Sequence, residues 1–380
     1  MGSFYPIFSL LIVTLLPNYS TSQTLTVEKS VATLPYLSCG VASVYDGDDN
    51  IFIFGGYDGV ALYSDKILKY SISADNLTIV SQFPWGVGFG AVLAGRTNTS
   101  YFYIGGEDDR FKMRRDSSEI FEFNSETNAV AVVGYLPYPQ FAPGAVKTDR
   151  NTGLIVLAGE WFEESGVNEI LKFDMETFTL TTVGGLLADL MYFSTIRDPV
   201  TGNVWVFGVE QSSEKAITSV VVSTVLGSHR TEPEPMARFG SGLYGEPNRT
   251  ETFITGSVPP VEKYNPSTNL SEVWYLNFPQ IERLVSLTSD GLSCYLIGGY
   301  AQENNNETIL QFNPLTHSFT SISVLGLPKN SNSIFFTSSV YARKLNRIYV
   351  IGGYLMDFAD PENIHAADEI LWMDLSPLQN

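Results

Sequence analysis

Short runs of mostly apolar residues recur along the chain, and each run ends at one or two glycines. The seven runs are residues 51–54, 101–104, 154–157, 204–207, 252–255, 294–297 and 348–351. Their closing glycines, from Gly56 to Gly353, lie 43 to 54 residues apart. Four residues is the length of a short buried strand, and a period near fifty built from strands indicates a ring of repeated β units.

The second repeat shows how one unit is organised. A small-residue strand at 88–93 precedes the apolar strand at 101–104, and residues 119–123 alternate apolar and polar side chains. Alternation with period two predicts a half-buried third strand. Residues 129–134 then return as an outer strand, so each unit is predicted to be a four-stranded antiparallel sheet.

The third strand carries a second signature, an aromatic residue followed by Asn or Asp and, three positions later, Thr. It occurs at 123–127, 173–177, 264–268 and 312–316. The short Asn or Asp side chain bonds the backbone locally and favours a tight turn. Together with the glycine-ended runs, this motif resembles the kelch repeat family over residues 24–380.

The resemblance implies an all-β fold, a seven-bladed kelch-type β-propeller. The fourth and fifth units, at 204–207 and 252–255, depart most from the pattern. A six-bladed ring is the alternative if one of them does not form a blade. The last unit lacks an outer strand, and residues 24–35 match the outer strands elsewhere, so the N-terminal strand is predicted to complete the last blade.

The N-terminus has the pattern of a secretory leader. Residues 7–16 are almost all apolar, which is too short to span a bilayer, and small residues at 20–22 suit cleavage before Gln23. We therefore expect a signal peptide at 1–22 and one propeller domain at 23–380. Five Asn-x-Ser/Thr sequons agree with secretion, at Asn76, Asn98, Asn248, Asn269 and Asn306.

Charge and cysteine content exclude several classes of function. The formal net charge of −19 disfavours nucleic acids and anionic membranes as partners, because both need a basic surface. Two cysteines, Cys39 and Cys294, are too few for a disulfide scaffold, and we expect both to be buried free thiols.

Blade topology places the turns between strands one and two, and three and four, on one face. Four sequons fall there, and Asn306 falls on the other face, which is built from longer loops. Loops on a rigid scaffold commonly carry function. The candidate partner-binding residues on this less glycosylated face are Trp85, Arg110, Arg114, Phe141, Trp161, Phe162 and Tyr354. Each has a plainer alternative, either as a cap on the core or as part of a solvated loop.

No catalytic or metal-binding motif stands out. Asp46, Asp48 and Asp49 lack the later glycine and glutamate of a calcium loop and are read as a turn. The three histidines, His229, His317 and His365, fall in different units, unlike the ligands of galactose-oxidase-type copper enzymes or of iron-binding nitrile specifiers. No cofactor is expected.

The sequence thus predicts a secreted glycoprotein scaffold that binds a protein or glycan partner without catalysis. Two alternatives remain open: an intracellular kelch adaptor or actin-binding protein, and a galactose-oxidase-like enzyme.

Overall fold

A computed structural model describes residues 24–60, 62–110, 115–158, 168–187, 190–198, 202–210, 221–224, 227–230, 260–275, 286–298, 308–326, 333–357 and 360–379. Within these ranges the protein is all-β, and its one helical element is a 3-10 turn at Ser376–Gln379. The predicted signal peptide at 1–22 lies outside them.

The strands follow one another with short connections. The first half comprises β1 Thr24–Lys29, β2 Ala42–Tyr45, β3 Asn50–Phe54, β4 Ser64–Ser71, β5 Asn76–Gly88, β6 Ala91–Ala94, β7 Ser100–Ile104, β8 Glu107–Asp108, β9 Arg115–Asp116, β10 Glu119–Asn124, β11 Ala129–Tyr135, β12 Gly144–Lys147, β13 Thr152–Ala158, β14 Asn168–Asp174 and β15 Thr179–Gly185. The second half comprises β16 Leu190–Arg197, β17 Val204–Glu210, β18 Val221–Thr224, β19 Gly227–Arg230, β20 Pro260–Asn265, β21 Leu270–Tyr275, β22 Ser286–Ser289, β23 Cys294–Ile297, β24 Thr308–Asn313, β25 Ser318–Leu325, β26 Ser333–Phe335, β27 Ser338–Ala342, β28 Arg347–Ile351, β29 Tyr354–Asp357, β30 Asp360–Ala366 and β31 Ile370–Asp374.

Small antiparallel sheets are arranged as in a β-propeller. Four blades stand in separate sheets: blade 1 is β2–β5, blade 2 is β6, β7, β10 and β11, blade 3 is β12–β15, and blade 4 is β16, β17, β20 and β21. Blade 1 is extended by the β8–β9 hairpin, which comes from the second-to-third loop of blade 2 and pairs with the end of β5.

The remaining eight-stranded sheet contains two runs of four strands that share β1. One run is β22–β25, and the other, here called the closing run, is β27, β28, β31 and β1. Residues Thr24 to Thr26 of β1 pair in parallel with β25, and Val27 to Lys29 pair antiparallel with β31. The prediction that the N-terminal strand completes the last unit is therefore confirmed, whereas the parallel pairing was not predicted.

The prediction of seven blades is wrong. Strand β17, which holds the fourth apolar run, pairs with β20, which holds the Tyr264–Asn265 signature assigned to the fifth unit. One sheet therefore takes its second and third strands from two predicted units. The run at 252–255 lies outside the described residues. Among those described, four blades are separate sheets, so neither seven nor six separate sheets are seen.

The first strand of each run faces the axis. These inner strands contact one another in a closed cycle, from β2 through β6, β12, β16, β22 and β27 back to β2. The sequence explains this placement, because the strands are short and carry small residues such as Ala42, Ala91 and Gly144 that suit a crowded centre.

The second strands are apolar without alternation because each packs on both sides. In β3, Phe52 and Phe54 pack against Tyr101 and Phe123 of blade 2, while Ile51 and Ile53 pack on the opposite side, against the closing run. A strand buried on both faces reads as a continuous apolar run. The core therefore consists of layers between neighbouring sheets.

The turn signature forms as predicted. The side chain of Asn124 accepts hydrogen bonds from the backbone of Glu126 and Thr127, both at 3.0 Å. Asp174 does the same with Glu176 and Thr177 at 2.9 Å, and the backbone hydrogen bonds lower the pKa of its carboxyl. These turns lie at one end of the sheets, here called the turn face. The opposite end, with the second-to-third loops and the connections between sheets, is called the loop face.

Candidate functional site

A cavity lies on the propeller axis at the loop-face half of the inner strands. Its volume is about 240 Å³, and all six inner strands contribute to its wall. Only the first residues of most of these strands line it, for example Ala42 and Ser43 of β2 and Ser338 and Ser339 of β27. The largest space enclosed by the described residues is thus at the axis.

The backbone at the mouth of this cavity has an unusual conformation. Gly40, Phe89, Ala142 and Phe336 each lie two residues before an inner strand, and each has a positive φ, between 46° and 60°. The backbone N–H of Gly40 donates to the carbonyl of Phe336 at 2.9 Å, and that of Phe89 donates to Gly40 at 2.7 Å. Neighbouring inner strands are therefore joined around the mouth by main-chain hydrogen bonds.

Aromatic side chains surround this mouth and form what we call the aromatic collar. Its members are Tyr57, Tyr63, Phe89, Phe141, Phe336 and Tyr354, which pack with buried Cys39 in one cluster. The ring of Phe89 lies 5.0 Å from Phe336 and 5.2 Å from Phe141, and the rings of Tyr57 and Tyr63 are 4.8 Å apart. The collar therefore holds a continuous aromatic surface at the loop face.

One side of the cavity wall is rich in hydroxyl groups. Ser43 is hydrogen-bonded to Ser338, and Ser286 to Ser339, both at 2.7 Å. The hydroxyl oxygen of Thr337 is shielded from solvent and has no hydrogen-bond partner. Blades 2 and 3 instead contribute apolar wall residues such as Val92 and Ala145. The described lining contains no ionisable side chain.

A buried charged network lies beside the collar, at the junction of blades 1 and 2. Arg110 forms ion pairs with Asp108 at 2.6 Å and with Glu119, and its guanidinium lies 4.1 Å above the ring of Trp85. The side chain of Asp108 is fully buried and also binds Arg115 at 3.1 Å. This network joins the β8–β9 hairpin to blade 2.

The network also sets the ionisation of Glu119. Burial raises the pKa of this carboxyl, but hydrogen bonds from Arg110 and from the Ser117 hydroxyl outweigh burial and lower the pKa below its usual value. Nearby, the hydroxyl of Tyr63 donates to Glu107, which links the collar to the β8 strand.

The predicted partner-binding residues therefore separate into three groups. Phe141 and Tyr354 belong to the collar and are half-buried. Trp85 and Arg110 are occupied in the charged network, where their interactions hold the two blades together. Arg114, Trp161 and Phe162 lie outside the described residues.

Sequence reasoning missed Phe89, Phe336, Tyr57, Tyr63 and Thr337. A local signal was present, because a bulky residue recurs directly before the small residues of an inner strand at Phe89 and Phe336. The sequence did not reveal that these positions meet, since they come from strands separated by more than 240 residues. Only the closure of the ring brings them together.

The described sequon asparagines lie on the turn face. Asn76, Asn98 and Asn269 are exposed, and the Tyr264 hydroxyl donates to the side-chain oxygen of Asn269 at 2.9 Å. Asn248 and Asn306 lie outside the described residues. The three described asparagines are thus remote from the collar, at the other end of the sheets.

Other candidate groups have structural surroundings. Cys39 and Cys294 are buried and free, as predicted, and burial raises the pKa of the Cys294 thiol to about 12. Asp46 accepts hydrogen bonds from the backbone of Asp48 and Asn50, which makes it the centre of a turn. Within the described ranges, His, Cys, Asp and Glu side chains form no group of three suited to a metal ion.

Comparison of the chain with protein-family models and with curated proteins gave no match in either case. None of the helical structure in the described ranges has the length and apolar character needed to cross a bilayer.

Proposed function

We propose that this protein is a secreted, glycosylated propeller of the kelch type that binds a protein or glycan partner through its loop face and has no catalytic activity. The observation that carries the proposal is the aromatic collar at the end of the sheets opposite the described sequons. Clustered aromatic side chains supply most of the energy in many binding interfaces.

Exposed apolar side chains around the collar support the same face. Val60 and Leu62 of the blade 1 loop are 84% and 66% exposed, and Leu37 and Tyr138 are also exposed in connections between sheets. Such side chains on the rim of a concave aromatic surface fit a partner that covers them on binding. Glycans on the turn face would leave this surface open.

We further propose that the ring has six blades. Reading the eight-stranded sheet as two blades that share β1 gives six four-stranded units, in agreement with the closed cycle of six inner strands. Residues 211–259 then form an insertion between the second and third strands of blade 4, which accounts for the two irregular repeats. The glycine-ended runs and the aromatic–Asn–Thr turns support assignment to the kelch type.

Secretion and glycosylation are tested by expressing the full chain in a eukaryotic secretory cell line. We expect protein in the medium that begins near Gln23 and loses mass on treatment with peptide N-glycosidase. Unglycosylated protein that retains Met1 and stays in the cytosol contradicts the proposal.

Partner binding is tested with purified secreted protein on cell surfaces and on a glycan array. The loop-face variant combines V60S, L62S and Y138S, and its control combines L292S, L315S and L345S, three exposed leucines in turn-face turns. We expect the loop-face variant to lose at least about tenfold in affinity and the control to bind normally. Equal binding by both variants contradicts the proposal.

A further inference from the structure

We propose that the axial cavity binds one neutral sugar ring, so that the partner recognised at the loop face is a glycan with an uncharged terminal hexose. This inference rests on the proposed loop-face function and narrows it. The argument combines the polarity of the cavity wall, its charge, its size and its entrance.

The wall has two chemically different sides. Hydroxyl groups of Ser43, Ser194, Ser286, Thr337 and Ser338 lie on the side formed by blades 1 and 4 and the eight-stranded sheet. Blades 2 and 3 present Ala91, Val92, Gly144 and Ala145. A pyranose ring has the matching surface, because its hydroxyl groups project from the rim while its C–H bonds form apolar faces. Hydroxyl side chains both donate and accept, which suits a ligand made of hydroxyl groups.

The charge of the site favours a neutral ligand. The described lining offers no cation to hold an anionic ligand and no carboxylate to hold a cationic one. The formal net charge of −19 also repels anions at a distance. Acidic sugars such as sialic acid are therefore expected to be excluded, and neutral hexoses accepted.

The size of the cavity limits the ligand to a single ring. At 240 Å³ the cavity is smaller than the roughly 300–1,000 Å³ typical of sites for drug-sized ligands. It has room for about eight water molecules at about 30 Å³ each. One ring that displaces these waters can replace their hydrogen bonds with its own hydroxyl groups.

One polar atom in the wall is available to such a ligand. The hydroxyl oxygen of Thr337 is buried without a protein partner. Burying a hydroxyl without a hydrogen bond is unfavourable, so this atom is expected to bind a ligand or water in the cavity. Thr337 directly follows Phe336 of the collar, so the hydroxyl lies where an incoming sugar passes the aromatic mouth.

The test uses the full secreted protein with free sugars as probes. Saturation-transfer NMR and calorimetry measure glucose, galactose, mannose and N-acetylglucosamine, with glucuronic acid and N-acetylneuraminic acid as charged comparators. We expect at least one neutral sugar to bind with a dissociation constant of about 1 mM, and the acids to bind at least tenfold more weakly.

The matched variants are T337V, which removes only the hydroxyl, and T181V, which makes the same change at an exposed site on β15. We expect T337V to weaken sugar binding about fivefold and T181V to leave it unchanged. T337S, which keeps the hydroxyl, is expected to retain binding. A cavity that takes up water only, with no neutral sugar bound, overturns the inference, as does wild-type affinity in T337V.

Failure of this inference can be separated from failure of the proposed function. If no neutral sugar binds but the loop-face variant loses its partner, the cavity site is refuted and the loop face stands. If T337V loses the sugar while the loop-face variant still binds the partner, the loop-face function is refuted and the cavity site stands.

Discussion

Two junctions between neighbouring sheets are reinforced in opposite ways. At the junction of blades 1 and 2, side chains do the work, through Arg110, Asp108, Glu119 and Trp85. At the junction inside the eight-stranded sheet, the backbone does it, because β1 pairs with β25 on one side and with β31 on the other. We call these the ion-pair junction and the strand junction.

The difference predicts different sensitivity to mutation. Main-chain hydrogen bonds do not depend on which side chain a residue carries, so the strand junction should tolerate changes at exposed positions. A buried ion pair depends on each partner, and removing one partner leaves an uncompensated charge. The predictions that follow are ordered from the largest expected effect to the smallest.

Removal of β1 is expected to have the largest effect. Deleting Thr24–Lys29 exposes two sheet edges and removes Leu25, which is fully buried, and Val27. We expect loss of cooperative unfolding in circular dichroism and aggregation through the free edges. The exposed-site variants T26A and E28A should stay within about 0.5 kcal/mol of wild type in urea unfolding. A deletion protein with a normal melting temperature contradicts the strand junction.

Breaking the ion-pair junction is expected to cost about 3 kcal/mol. In R110M the side chains of Asp108 and Glu119, 0% and 6% exposed, lose a buried cationic partner. The control is R115M, whose side chain is 42% exposed, and we expect it to cost about 1 kcal/mol or less. Urea unfolding at pH 7 measures both, and equal costs would show that burial does not govern this junction.

Substitution of Phe89 tests whether the collar is strained. F89A is expected to lose about 3 kcal/mol, because a buried ring is deleted. F89G deletes the same ring but removes the penalty of a positive φ of 57°, so we expect it to be about 1 kcal/mol more stable than F89A. The opposite order in urea unfolding would show that the backbone at the mouth is not strained.

The ion-pair junction should also respond to pH. The folded-state pKa of Glu119 lies below its usual value of 4.5, so its contribution is complete above that value and is lost as pH falls through the folded pKa. In R110M, burial acts without Arg110 and raises this pKa. We therefore expect the cost of R110M to decrease by about 1 kcal/mol between pH 7 and pH 4. A cost that is independent of pH rules out a role for Glu119 ionisation.

The smallest expected effect is at the turns, outside both junctions. N124A removes the hydrogen bonds to the backbone of Glu126 and Thr127 and is expected to cost about 1 kcal/mol. S125A, at a neighbouring turn position, serves as the control and should cost less. Thermal unfolding compares the two variants, and a neutral N124A would show that the turn forms without its side-chain bonds.

The sequence predicted what depends on neighbours along the chain. Apolar runs such as 51–54 indicated the second strands, and Asn124 and Asp174 indicated the turns, because periodicity and local hydrogen bonding determine both. The number of blades could not be read this way, since it depends on which strands pair. Strand β17 skips about fifty residues to pair with β20, and no local pattern records that choice.

The site was predicted only in part for the same reason. Phe141 and Tyr354 are aromatic residues in loops, which favoured them as binding residues. Arg110 and Trp85 also looked exposed, but a buried Asp108 holds them. Phe89 and Phe336 meet only because the ring closes, and the hydroxyl side of the cavity comes from several distant strands.

The double pairing of β1 has a consequence for biosynthesis. Lys29 pairs with Leu371, so about 340 residues must be translated after β1 before its second partner exists. At about 5–20 residues per second, β1 waits tens of seconds with Leu25 and Val27 uncovered. Chaperone contact with this segment during translation is therefore expected, and assembly should finish only when the earliest and latest strands of the ring meet.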